Sequence, residues 1–240
     1  MASFFVGIYT ELIYRPLLNA LVAIYAFLPY HDLGLAIVVL TVLVRLLMHP
    51  TVAASIRSQR AMSRLQPQLR EIQEQYKNDR EEQGRRVMAA YRAAGIHPLS
   101  GCIPIIIQIP IFIGLYHLFA RGIALDDQSL LYAFARSADA FSPVAFGVFN
   151  LSQPSAILAI VAGATQFFQS KFIPPPLPSG SGGGAAGDFS RALVWQTTFI
   201  LPLVIVFISW SAPAAVAFYW TVLNVVVIVQ QLWIQRRLRA

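Results

Sequence analysis

Charged residues are scarce in this chain of 240 residues. They make up 12% of the sequence, whereas a soluble domain carries about 25%, and hydrophobic residues make up 57%. The apolar residues are gathered into runs long enough to cross the hydrocarbon core of a bilayer, which takes about 20 helical residues. This composition excludes an ordinary soluble domain and predicts an all-α, polytopic membrane protein.

Cysteine pairs and catalytic motifs are also lacking. Cys102 is the only cysteine, which excludes an intramolecular disulfide and a cysteine-based zinc cluster. The four histidines are far apart in the sequence, and no HExxH pair, Walker loop, GxSxG motif or pair of intramembrane carboxylates occurs. We therefore expect no catalytic residue, no metal site and no cofactor. The start of the chain lacks the pattern of a removable signal peptide, so we expect none.

The apolar runs predict five transmembrane helices. Prolines at positions 104 and 110 lie in the second helix, where neighbouring helices or polar side chains can satisfy the freed carbonyl groups. The fourth and fifth helices are joined only by a tight turn, so we expect them to form a helical hairpin. The predicted spans are residues 31–56, 98–120, 154–173 and, for the fourth and fifth together, 192–234.

Residues 1–30 are apolar but interrupted by polar residues. Glu11, Arg15 and Asn19 recur at every fourth position, which places them on one face of a helix. This pattern predicts an amphipathic helix that lies in the outer membrane interface. A tilted transmembrane helix is the alternative.

Residues 57–97 are strongly polar and predict a cytoplasmic hairpin of two helices. Apolar residues in its first half are spaced alternately three and four apart, which is typical of a coiled-coil seam. A turn at Asn78 and Asp79 leads to the second helix, which Gly95 and Pro98 end. An ordinary solvated linker is the alternative. The seam consists of Met62, Leu65, Leu69, Ile72 and Tyr76, and the facing stripe of Val87, Met88, Tyr91 and Ala94.

The remaining connectors differ in composition. Residues 121–153 mix apolar and polar residues and predict an extracytoplasmic connector that contains a short helix of its own. Residues 174–191 are rich first in proline and then in glycine and serine, which predicts a flexible cytoplasmic linker. Residues 235–240 form a basic cytoplasmic tail.

Lysine and arginine are unevenly distributed over the connectors. Fourteen lie in the 57–97 hairpin, the third-to-fourth connector and the tail, against three on the other side, at positions 15, 121 and 136. The positive-inside rule therefore places the hairpin and the C-terminus in the cytoplasm and the N-terminus outside. The net charge of +7 then reflects topology rather than binding to nucleic acid, and we expect no DNA partner.

Arg45 stands near the middle of the first apolar run, about 18 Å of helix rise from either end. A charge at that depth costs about 2.5–3.5 kcal/mol on insertion scales. Thr41 and His49 share its helix face, and no acidic residue to neutralise it occurs in its apolar run, residues 33–56, or in the other four predicted spans. We therefore expect Arg45 to face a hydrated cavity. Snorkelling to the cytoplasmic headgroups is the alternative if the helix ends at Pro50.

Other polar side chains lie in the predicted spans. Each alone is more typical of a hydrogen bond between helices than of a functional group. Together with Arg45 and Thr41 they could line one polar groove that binds a substrate. They are Gln108, Gln166, Tyr219, Trp220 and Asn224, with Thr165 and Gln169 as further polar neighbours.

Several segments resemble the YidC/Oxa/Alb family of membrane protein insertases. They are GLAIVVLTVLVRLLMHP, the hairpin with LQPQLREIQEQYKND, then GIHPLSGCIPIIIQIPIFIGLYHLF and the C-terminal AFYWTVLNVVVIVQQLWI. They cover most of residues 31–120 and 195–236 in the family's order, whereas residues 121–190 match by span placement only. The chain is similar to the short bacterial form with five core spans, although it lacks the lipobox cysteine that this form often carries.

This resemblance implies an insertase and foldase of the bacterial plasma membrane that works without ATP. It implies a hydrophilic groove that opens to the cytoplasm and the lipid and is closed on the outer side. Arg45 corresponds to the family's invariant arginine, and Thr41, Tyr219 and Trp220 fall on groove-facing positions. Trp220 stands where many relatives have a second tyrosine.

The resemblance also implies partners. These are nascent membrane proteins, the lipid bilayer, the ribosome and, as a further option, the Sec translocon. A small transporter or channel with Arg45 as an anion site is the alternative function, although no internal repeat supports it. The basic hairpin residues expected to recruit substrate or ribosome are Arg57, Arg60, Arg64, Arg70, Arg85 and Arg86.

Overall fold

The computed structural model describes residues 2–28, 30–95, 103–120, 128–135, 142–173 and 191–237. Helices dominate this part of the chain, which confirms the predicted all-α class. A π-helical turn at Thr10–Tyr14 joins the first two helices, and a second one, Gln196–Ile200, lies within the eighth. The helices are α1 Ala2–Tyr9, α2 Arg15–Phe27, α3 Leu33–Leu47, α4 His49–Gln75, α5 Arg80–Ala93, α6 Ile103–Ala120, α7 Ala156–Phe172, α8 Arg191–Ser211 and α9 Ala214–Arg237.

Three of the described helices, α6, α8 and α9, are long and apolar enough to cross a membrane. The pair of α3 and α4 is a fourth candidate, bent by 58° between the two helices. The 17 residues of α7 reach about 26 Å, slightly less than a hydrocarbon core of about 30 Å. The multi-pass membrane fold is confirmed, while the count of five spans stays a prediction.

The first helix of the predicted spans ends earlier than its apolar run. α3 ends at Leu47, and α4 begins at His49 and continues into the hairpin that it forms with α5. Pro50 accounts for the break, because it has no N–H for the carbonyl of Leu46 and its ring clashes with that carbonyl. Arg45 therefore lies in the last turn of α3. The break lies inside the predicted first span, close to the helix end at Pro50 that the alternative for Arg45 required.

The helices α7, α8 and α9 pack together. α7 packs closely against both α8 and α9, whereas these two, joined by a short turn, contact each other much less. The tight turn of the predicted hairpin is present, with α7 packed against both of its arms. Gly163 of α7 makes the approach of α8 possible, because a Cβ there would overlap the Cγ2 of Val206 and lie 3.1 Å from the Pro202 carbonyl oxygen.

The polar face of α2 and the preceding turn binds the connector of residues 121–153. Asn19 is buried; its Nδ2 donates to the carbonyl of Leu130 at 2.9 Å, and its Oδ1 accepts from the amide of Tyr132 at 2.6 Å. Arg15 pairs with Glu11 at 2.8 Å and also donates to the Leu130 carbonyl. The three polar residues share one face as predicted. Whether this segment lies in the interface or crosses the bilayer stays a prediction.

We expect Asn19→Ala to lower the free energy of unfolding by about 1–3 kcal/mol, because the partly buried amide of Tyr132 loses its acceptor and the carbonyl of Leu130 keeps only the donor from Arg15. The measurement is the thermal unfolding of the purified protein in detergent. Ser63→Ala is a suitable control, because within the described ranges the exposed Ser63 hydroxyl bonds only to its own helix, at the Gln59 carbonyl. An Asn19→Ala protein that unfolds at the wild-type temperature would contradict this role.

The same connector, residues 121–153, also contacts the start of α9. Two short 3-10 helices, Gln128–Leu130 and Ala133–Ala135, precede a small antiparallel hairpin of β1 Val144–Ala145 and β2 Phe149–Asn150. The predicted short helix is thus realised as 3-10 turns. Backbone carbonyls at positions 151 and 153 accept from the amides of Ala215 and Ala214, at 3.0 and 2.9 Å. They satisfy amides that the first turn of a helix leaves without partners.

The hairpin of α4 and α5 has the predicted seam. Met62 and Leu69 are buried against Ala90 and Tyr91, with Leu65, Ile72 and Val87 packed beside them. Met88 and Ala94 were predicted to join the stripe on α5, but both are exposed. The stripe on α5 is Val87, Ala90 and Tyr91, because positions i, i+3 and i+4 share a helix face and position i+1 does not.

The ends of α5 agree with its sequence signals. The carboxylate of Asp79 accepts from the amide of Glu82 at 3.0 Å and caps the start of the helix. Gly95, with φ of 65°, provides the left-handed residue that ends it. Pro98, the predicted linker up to position 190 and tail residues 238–240 lie outside the described residues.

Candidate functional site around Arg45

Arg45 is buried where α3, α6 and α9 meet, with 7% of the residue exposed. One guanidinium nitrogen donates to the Oε1 of Gln108 on α6 at 3.4 Å. The Nε2 of Gln108 donates in turn to the hydroxyl of Tyr219 on α9 at 3.2 Å. Three of the predicted groove residues, from three helices, therefore form one hydrogen-bonded chain.

The charge of Arg45 has no carboxylate partner in the described part of the chain. The three ion pairs there involve Glu11 or Glu82, neither of which belongs to this site. The Nε of Arg45 is buried and, among the described residues, has no hydrogen-bond partner. A buried cation held only by a neutral amide attracts anionic groups strongly, because its charge is neither paired nor fully hydrated.

Snorkelling of Arg45 to the headgroups was the alternative if its helix ended at Pro50, and α3 does end close to Pro50, at Leu47. The Arg45 side chain nevertheless points to Gln108 on a neighbouring helix and is buried among protein atoms. The guanidinium thus lies inside the helix bundle. Whether water reaches it stays a prediction.

A second polar cluster joins α7 to α9. The indole Nε1 of Trp220 donates to the Oε1 of Gln166 at 2.8 Å, and the Nε2 of Gln166 donates to Ser170 at 3.1 Å. The Nδ2 of Asn224 donates to the hydroxyl of Thr165, also at 3.1 Å. These bonds are the kind expected between packed membrane helices. Gln166, Trp220 and Asn224 therefore form a group separate from the Arg45 chain.

Phe112 of α6 connects the two polar groups. Its ring lies 6.4 Å from that of Tyr219 in a stacked arrangement and meets that of Trp220 edge-on at 4.5 Å. The neighbouring aromatic residues of α9 thus serve different partners, Tyr219 the Arg45 chain and Trp220 the α7 cluster. Thr41 is buried, and its hydroxyl donates to the carbonyl of Ile37 within α3.

Gln230 belongs to the site although the sequence did not indicate it. Its Nε2 donates to the backbone carbonyl of Arg45 at 3.2 Å and lies 3.3 Å from the Nδ1 of His49. Its position could have been found from helical spacing. It follows Tyr219 by eleven residues, about three turns, so the two lie on one face of α9.

Comparison with known proteins decides the family. The sequence model of the 60Kd inner membrane protein family matches residues 24–240. The chain belongs to this family. The matched range includes Arg45 and every other residue predicted for the groove.

Relatives with the name "Membrane protein insertase YidC" match most of this chain. One from Syntrophus aciditrophicus (strain SB) is 32% identical over 235 residues, which are 96% of this chain and 38% of that protein. Another, from Francisella philomiragia subsp. philomiragia, is 34% identical over 209 residues, 86% of this chain and 33% of that protein. The chain thus spans less than two fifths of the length of these curated relatives.

The arginines of the α4–α5 hairpin differ in their surroundings. Arg85 and Arg86 each lie 2.7 Å from the carboxylate of Glu82. Their hydrogen bonds lower the pKa of Glu82 to about 2, and the carboxylate raises the pKa of both arginines. These two guanidinium groups already have an acidic partner within their own helix.

The four arginines on α4 divide into two pairs. Arg60 donates to the carbonyl of Gln235 at 3.0 Å and so ties the hairpin to the end of α9. Arg57 donates to a backbone carbonyl of its own helix at 3.2 Å. Arg64 and Arg70 are exposed. The structure therefore leaves Arg64 and Arg70 as the α4 arginines best placed to meet a partner.

Proposed function

We propose that this protein is a membrane protein insertase and foldase. It moves short polar segments of nascent membrane proteins across the bilayer through a hydrated groove that bears Arg45, without ATP hydrolysis. The names of its relatives support the activity. The observation that carries the proposal is the buried guanidinium of Arg45, which is bonded to the neutral Gln108 and has no carboxylate partner among the described residues.

The mechanism needs no bond chemistry. Arg45 provides a positive site at which an acidic segment of the substrate is held transiently. Water around this site shortens the apolar path that the polar segment must cross. The apolar span of the substrate then enters the lipid, and its burial contributes about 25 cal/mol for each Å² of apolar surface. This term drives the transfer.

The partners and the orientation belong to the same proposal. The N-terminus lies outside the bacterial plasma membrane, and the C-terminus and the hairpin lie in the cytoplasm. There the exposed Arg64 and Arg70 meet anionic groups of the ribosome, of a substrate or of lipids, since a basic surface attracts such partners. The Sec translocon is a further partner in this proposal.

We expect a photo-reactive amino acid at position 108 or 220 to capture a single-span nascent protein during its insertion into vesicles. Gln108 and Trp220 are partly buried and contact the Arg45 chain or the aromatic cluster beside it. Phe207 of α8, which is 81% exposed, provides the control, and capture there should be several-fold weaker. The measurement is the yield of crosslinked product on a gel.

Two outcomes would contradict the proposal. One is equal capture at the three positions, since the substrate would then have no preferred path. The other is solute flux through vesicles that contain the purified protein, abolished by Arg45→Ala, with insertion unaffected by the same change. That result would favour a small transporter or channel.

A further inference from the structure

The end of α3 has carbonyl groups that require partners from elsewhere. The last four carbonyls of a helix have no donor within it. The amide of Met48 donates to the carbonyl of Val44 at 3.0 Å. The next carbonyl, that of Arg45, accepts from the Nε2 of Gln230 at 3.2 Å. The backbone that carries Arg45 is therefore held by a side chain of α9.

The same amide also reaches across the bend. The Nε2 of Gln230 lies 3.3 Å from the Nδ1 of His49, the first residue of α4. An amide nitrogen has two protons and only donates, so it can bond both acceptors when the proton of the His49 ring is on Nε2. Arg45 and His49 stand on the two sides of the 58° bend. Gln230 thus bridges it.

Apolar contacts surround this polar bridge. The ring of Trp233 meets that of His49 edge-on at 5.3 Å, so the segment of α9 that contains Gln230 also packs against the start of α4. Gln230 is the residue of that segment whose side chain bonds the backbone of Arg45. The buried apolar cluster at this junction consists of Met48, Val52, Ile56 and Ile234.

We infer that Gln230 is a positioning residue of the Arg45 site. Its amide holds the end of α3 against α9, which sets the direction of the Arg45 side chain and the angle at which the cytoplasmic hairpin leaves the first span. The consequence for insertion rests on the proposed function. The geometric part, the angle between α3 and α4, can be measured independently of any substrate.

The test uses the full chain in lipid, with Cys102→Ser and spin labels at positions 43 and 63. Leu43 on α3 is 51% exposed, and Ser63 on α4 is exposed, so labels at both sites report the bend. Gln230→Met keeps the length of the side chain and removes both donors. We expect a broader distance distribution between the labels and about threefold to tenfold less insertion of a single-span protein, the range for the loss of the hydrogen bond to the Arg45 carbonyl.

Thr221→Val is the matched control, because the only bond of the Thr221 hydroxyl to a described residue is to the Ala217 carbonyl of its own helix, at 2.9 Å. It should leave the distances and the insertion unchanged. A narrow distribution in Gln230→Met would overturn the inference. So would reduced insertion with unchanged distances, since Gln230 would then act on the substrate directly.

Pro50→Ala provides a second, independent test. It restores an N–H at position 50 and removes the ring clash, so α3 and α4 can join and the amide of His49 can donate to the Arg45 carbonyl. Added to Gln230→Met, it should recover a narrow distribution, and it should restore folding if Gln230→Met alone does not fold. A double variant as broad or as unfolded as Gln230→Met would overturn the inference.

The geometric and functional results separate the two proposals. Consider a Gln230→Met protein that has a broad distance distribution but inserts its substrate normally. If Arg45→Ala also inserts normally, this result supports the positioning role and contradicts the proposed function. If Arg45→Ala is defective in insertion, the same result overturns the claim that Gln230 positions Arg45 for insertion.

Discussion

Arg45→Ala is expected to reduce the insertion of single-span proteins with an acidic leading segment by about tenfold or more. The variant removes the buried charge and leaves only the neutral side chains of Gln108 and Tyr219 at the site. The acidic segment then has no cation there to attract it. A tenfold effect corresponds to about 1.4 kcal/mol, well below the attraction of about 4 kcal/mol between charges 4 Å apart in a partly polar environment. The measurement is depletion of the host insertase followed by rescue with this chain.

Three comparisons make this result specific to the charge. Arg45→Lys keeps a cation and should retain most of the activity, although it cannot form the same planar contact. Leu43→Ala alters an exposed residue of the same helix and should have little effect. A substrate with a neutral leading segment should depend on Arg45 much less. Normal insertion by Arg45→Ala, or equal losses with acidic and neutral substrates, would contradict the role of the charge.

Gly163→Ala is expected to destabilise the protein by about 1–3 kcal/mol, which is the range for overpacking a tight interface. The new Cβ would overlap the Cγ2 of Val206, and this β-branched side chain has little rotamer freedom in a helix. The Pro202 carbonyl oxygen, 3.1 Å from that Cβ, blocks the other direction. The effect is measured by thermal unfolding in detergent, with the loss of soluble monodisperse protein as the readout.

Two variants control for the general consequences of replacing a helical glycine. Gly84→Ala on α5 meets no atom within 4 Å, so it should be neutral or stabilise the hairpin by up to about 1 kcal/mol. Val206→Ala removes the methyl group that the new Cβ meets and should recover part of the stability of Gly163→Ala. A Gly163→Ala protein as stable as the wild type would show that α7 and α8 can separate without cost.

Much of the helical architecture was predictable because apolar runs and charged connectors have strong signals. The seam of the hairpin was predictable because its apolar residues, Met62 and Leu69 among them, follow a regular spacing. The break after α3 was harder to predict. Pro50 marks it, but the apolar run continues to Ile56 and suggests one longer helix.

Contacts between distant parts of the chain explain what the sequence could not predict. Asn19 bonds backbone groups at positions 130 and 132, and backbone partners leave no trace in a pattern of side chains. Gln230 and Arg45 are 185 residues apart, and their contact depends on how α9 crosses α3. The grouping of Gln108 and Tyr219 with Arg45 was predicted as one option, but the separate grouping of Trp220 with Gln166 was not.

The length of α4 gives the bend at Met48 a mechanical consequence. Its 27 residues form a lever of about 40 Å that runs from the bend to the tip of the hairpin. A rotation of about 10° at the bend therefore displaces the tip by about 7 Å. In the other direction, a load on the tip acts on the end of α3 as a torque, since Arg45 lies three residues before the pivot. The contacts of Arg60, Val52 and Ile56 with the end of α9 oppose such a rotation, so the end of α9 helps to fix the position of the hairpin.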